Sequence, residues 1–131
     1  MRSKIIAALV ILSLATTSCS TINVPTAKEA AILDTVSTIA VLGSSTGHEL
    51  NPVSFVGATL AKAVILSNID RFQPETQDLI NKTTATIWTA AAVNNLAVLM
   101  CVPLTISLPL TLAAGYVVYK NTPKTKKDTK Q

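Results

Sequence analysis

Positions 83 to 119, between Lys82 and Lys120, hold 37 consecutive residues without a charged side chain. A solvated surface helix keeps charge on its outer face, so a stretch of this length belongs to an apolar setting. Within it, Leu96 to Tyr119 contains eleven Leu, Ile and Val residues. At about −0.3 to −0.6 kcal/mol each on insertion scales, these contribute about −3 to −7 kcal/mol with no charge opposing them. The segment is therefore expected to span a bilayer, with Tyr116 and Tyr119 as interfacial aromatics beside Lys120. Pro103 and Pro109 interrupt it. At about 1.5 Å per residue the whole stretch would be about 55 Å long, against a hydrocarbon core of about 30 Å. The alternatives are one long kinked helix and a break near the prolines into two short ones. The charge distribution favours a single crossing that leaves a basic tail inside.

Composition points the same way. Of 131 residues, 49% are hydrophobic and 14% charged, against a charged fraction of roughly 25% in soluble domains. That sits badly with a soluble enzyme, and the aliphatic content argues against disorder. At 4% aromatics there are no stacking platforms for single-stranded nucleic acid. The net charge of +4 belongs to the two ends: Arg2 and Lys4 at the start, and Lys120, Lys124, Lys126, Lys127 and Lys130 against Asp128 at the finish. Between Lys4 and Lys120 stand four basic and six acidic residues. No nucleic-acid partner is expected; the tail at 120–131 is suited instead to anionic lipid head groups.

Arg2 and Lys4 precede the apolar run Ile5 to Leu12, followed by Ser13-Leu14-Ala15-Thr16-Thr17-Ser18-Cys19. A basic start, a short apolar stretch and then small residues make a secretory signal at 1–18. The residues before Cys19 resemble the lipobox of bacterial lipoproteins. That resemblance implies cleavage before Cys19, acylation of its thiol and new amino group, and a lipid-anchored linker at 19–29. Thr16 departs from the pattern, since Leu is usual there, and an uncleaved signal anchor is the alternative. The implied location is the bacterial inner membrane with a periplasmic N-terminus, or the outer membrane through the anchor. The second cysteine, Cys101, reads as a small buried hydrophobe.

Residues 30–119 read as a helical membrane domain. The fold class is all-α, a small bundle of about three hydrophobic helices after the signal. Ala30 to Ser45 carries six strong apolar residues and Asp34; Pro52 to Ile69 carries eight and Lys62. Each charge costs about +2.5 to +3.5 kcal/mol in a membrane and roughly cancels the apolar gain of its helix, so neither segment inserts securely alone, whereas both can insert together. Asn51 before Pro52 is a helix cap followed by a first-turn proline. A third helix opens at Pro74, with Glu75 and Asp78 complementing its dipole.

The segments D-T-V-S-T at Asp34 to Thr38 and G-H-E-L-N-P at Gly47 to Pro52, with W-T-A-A-A-V-N-N from Trp88 to Asn95, resemble a group of small uncharacterised membrane proteins of bacteria and phages. The resemblance implies a compact bundle with polar residues at helix ends and inside. It implies no reaction.

On a helix, Asp34, Ser37 and Thr38 share one face. In a membrane that face must point at protein, and Lys62 is the obvious partner for Asp34. Gly57 and Ala61 form a small-xxx-small pair suited to close helix approach, and Asn94 and Asn95 can hydrogen-bond across the bundle. Asp34, Ser37, Thr38, Glu49, Asn51, Lys62, Asn94 and Asn95 are thus the candidate intramembrane polar cluster. It serves packing, or conducts ions or protons through Asp34, Glu49 and Lys62. Segments lying at the membrane surface are a third arrangement. His48 beside Glu49 has no nucleophile near it, and a solvated turn carboxylate is the better account. No metal ligands stand at a usual spacing; no cofactor and no enzymatic activity are expected. The expected role is structural or partner-modulating, against another membrane protein or a second copy. Phage- or plasmid-type exclusion is one form of it. A holin-like permeabiliser and an ion- or proton-conducting bundle are the alternatives.

Overall fold

The computed structural model describes residues 23–44 and 52–124. Cys19 and the signal segment, Glu49, Asn51 and the tail beyond Lys124 lie outside the described residues. Among those described the protein is all-helical: α1 (Ala27–Leu42), α2 (Pro52–Asn68), a 3-10 turn (Ile69–Arg71), α3 (Pro74–Leu99) and α4 (Leu104–Asn121).

The first helix begins three residues earlier than Ala30 because Thr26 and Glu29 form a capping box. Glu29 N donates to Thr26 Oγ1 at 3.3 Å and Thr26 N donates to Glu29 Oε2 at 2.8 Å, satisfying amides that a helix start leaves open. The hydrogen bond from the Thr26 backbone, then that from its hydroxyl, lowers the Glu29 pKa below its ordinary 4.5. A depressed carboxylate pKa stabilises the fold above the unfolded value and loses that contribution as pH falls through the folded value. Glu29→Gln should therefore fray α1 at neutral pH. Its helicity and melting temperature should converge on wild type once the pH falls below the lowered folded-state pKa and Glu29 itself protonates.

The charge-free stretch is not one helix. No helix among the described residues is long and apolar enough to cross a membrane, and the expected single span from Leu96 to Tyr119 is broken between Leu99 and Leu104. The break is a closed C-cap: Val102 N donates to Ala97 O at 2.9 Å and Cys101 N to Val98 O at 3.0 Å, the paired bonds of a Schellman motif. Pro103, which has no amide proton, then starts α4. Cys101 occupies the left-handed position with φ of 55° and is exposed, so it is not the buried hydrophobe expected of it. A side chain there costs about 1–2 kcal/mol. Cys101→Gly should recover about 1 kcal/mol of stability, read as a higher melting temperature.

α3 and α4 fold back on each other, which makes four helices rather than three. Their directions alternate. Lys62 meets Asp34 and Thr35, Asn95 meets Asp34, Ser37 and Thr38, and Lys82 lies over Tyr119. So α1 and α3 run parallel, with α2 and α4 antiparallel to them. Both ends of the described chain leave the bundle on one side.

The core is built of small residues. Along α1, Ala27, Ala30, Asp34, Ser37 and Val41 are buried at alternating spacings of three and four; along α3, Ala85, Trp88 and Ala92 continue the pattern. That is the seam of two helices packed side by side, and alanines let their backbones approach closely. On its other flank α3 meets α4 through Ser107, Gly115 and Val118. A Cβ on Gly115 would stand 3.5 Å from Ala90 Cβ and Thr86 Cγ2. Gly57 and Ala61 are not at a crossing: both are exposed, and nothing lies within 4 Å of a Cβ at Gly57. α2 touches the rest chiefly through Lys62 and Leu66, turning its small residues outward.

Candidate functional site

The most ordered polar constellation lies where α1, α2 and α3 meet. Lys62 Nζ is 2.6 Å from Asp34 Oδ2, and both side chains retain 11% of their exposure. Lys62 also donates to Thr35 Oγ1 at 3.3 Å. From the third helix, Asn95 Nδ2 lies 2.9 Å from Thr38 Oγ1, 3.1 Å from Ser37 Oγ and 3.3 Å from Asp34 Oδ1.

The hydroxyls prepare this arrangement. Ser37 Oγ and Thr38 Oγ1 both donate to Asp34 O, at 3.0 and 2.7 Å, and Thr35 Oγ1 donates to Ala31 O at 2.8 Å. With its single proton spent on its own helix, each hydroxyl offers lone pairs outward. Lys62 and Asn95 supply the protons those lone pairs accept. Asp34, Ser37 and Lys62 are buried, where an unpaired charge is costly, and here the charge is paired and bonded on both carboxylate oxygens.

Of the residues expected in the cluster, Asp34, Ser37, Thr38, Lys62 and Asn95 come together. Asn94 makes no hydrogen bond with them, because one residue turns it about 100° around the helix. Glu49 and Asn51 lie outside the described residues. Thr35 was missed, although its place one residue after Asp34 and four after Ala31 made it a back-bonded hydroxyl within reach. Ser107, Thr111 and Gly115 were also missed as a packing stripe, despite their regular spacing of four.

The arrangement holds helices and offers little to a reactant. Both oxygens of Asp34 are engaged, and among the described residues no three His, Cys, Asp or Glu side chains gather as a metal ion would require. An open groove between α2 and α3, lined by Val64, Ile65, Phe72, Leu79 and Ile80, is almost wholly apolar. No protein-family model matches the chain, and no curated protein or solved structure is significantly similar to it.

Proposed function

We propose that this chain is a small membrane-embedded (lipo)protein with a structural role, packing against another membrane protein or a second copy and modifying what that partner does. One observation carries the reading: the bundle is apolar on the outside. Among the described residues twenty large hydrophobic side chains are exposed, with Leu104 at 70%, Leu112 at 64% and Tyr116 at 62%. The buried positions are mostly alanine, serine, glycine and the Asp34–Lys62 pair. A water-soluble protein of this size buries its leucines and isoleucines. Apolar surface wrapped round a core of small and hydrogen-bonded residues is how helices associate in lipid.

The weak hydropathy of the separate helices fits this reading. The charges that oppose insertion of α1 and α2 are Asp34 and Lys62, and each is the other's partner. Inserted together, the helices present no unpaired charge to lipid. Conduction finds less support, because a carboxylate held by an ammonium and an amide has no free oxygen for a passing proton or ion.

Washing membranes with alkaline carbonate tests the embedding: the protein should stay in the pellet and leave only with detergent. Release by carbonate would end the reading. The role is tested by inducing the protein in cells loaded with a potential-sensitive dye. A packing protein leaves the membrane potential and growth intact, whereas collapse at a defined time would favour the holin-like alternative.

A further inference from the structure

The described residues include eleven charged side chains, and nine of them sit at one end of the bundle. These are Lys28 and Glu29 at the start of α1, Asp70 and Arg71 after α2, Glu75, Asp78 and Lys82 in the first turns of α3, and Lys120 and Lys124 at the finish of α4. The other two are the internal pair, Asp34 and Lys62. At the opposite end the α3–α4 turn reads Met100-Cys101-Val102-Pro103-Leu104, without a polar side chain beyond the thiol.

The two limits of the charge-free stretch, 38 positions apart in the chain, meet in space. Lys82 Nζ lies 3.9 Å from the centre of the Tyr119 ring, and Lys120 Nζ lies 5.9 Å from that of Tyr116. Both rings are exposed. A lysine over a tyrosine pairs a cation with a ring face, and these two residue types mark the level of lipid head groups. From Lys82 to Leu99 the helix rises about 26 Å at about 1.5 Å per residue, short of the hydrocarbon thickness of about 30 Å, so the turn can be buried without either helix crossing.

Resting on the membrane reading above, we infer that the α3–α4 hairpin enters the bilayer with its uncharged turn leading. Its two charged ends stay at one surface, where Lys82, Tyr116, Tyr119 and Lys120 lie among lipid head groups. Lys120 and Lys124 then lie on the same side as the start of α1.

The test uses the full-length chain in bacterial membranes and a membrane-impermeant maleimide. Lys28→Cys and Lys124→Cys, both at exposed positions, are each made in a Cys101→Gly background, and the Cys101→Gly parent records any reaction at Cys19. Both engineered thiols should label in the same preparation, either right-side-out spheroplasts or inverted vesicles, and stay unlabelled in the other. Native Cys101 should not label in the preparation that labels them. Labelling of the two engineered positions from opposite sides, or of Cys101 together with them, overturns the inference while leaving the embedding intact. Protein found in the soluble fraction, with every position reactive, overturns the embedding and this inference together.

Discussion

Lys62→Met should destabilise the bundle by about 3–5 kcal/mol, the usual consequence of leaving one member of a buried ion pair alone. The side chains are similar in length, so the loss comes from Asp34 and not from a cavity. Its Oδ2 would keep no cation, and the carboxylate is too enclosed to recover water. Asp34→Asn in the same molecule should restore most of the stability, since the remaining amide and hydroxyl groups are neutral and Asn95 still supplies protons. Thermal unfolding in detergent measures all three variants, and the double-mutant cycle isolates the coupling. A double variant as unstable as Lys62→Met alone would show that the lysine stem, and not the charge pair, holds α2 in place. Asp34→Asn also separates packing from conduction. A variant that folds to normal levels but abolishes a flux of the wild type would restore the conducting reading.

Gly115→Leu should cost about 1–3 kcal/mol, as overpacking at a tight crossing does. Its first carbon already meets Ala90 and Thr86 at van der Waals distance, so three further carbons must push α4 away from α3. Gly115→Ala fits the same space and should gain up to about 1 kcal/mol through helix propensity. Gly57 provides the contrast: with nothing near it, both Gly57→Ala and Gly57→Leu should be tolerated by the isolated bundle. Melting temperatures of the four variants in one detergent decide the matter. If Gly57→Leu were the damaging one, α2 would be packing against something at its outer face.

Much of the local structure was legible in the residues. Asn51-Pro52 and Pro74 announced two helix starts, because proline suits the first turn, where its missing amide costs nothing. Spacing alone put Asp34, Ser37 and Thr38 on one face, and charge named Lys62 as the partner of Asp34. The capping box at Thr26 and Glu29 was equally open to reading and would have moved the start of α1 to Ala27.

Helicity, the neutral stretch and the residues that had to be paired were all determined by the sequence alone, because they depend on local periodicity and on the cost of isolated charge. Tertiary structure decided the rest. It selected Asn95 over Asn94 and Gly115 over Gly57, since which face of a helix is covered depends on the neighbour that arrives there. It also turned one expected span into a hairpin. A proline says that a helix can stop, whereas the direction taken afterwards is set by the small face of α4 finding a matching face on α3.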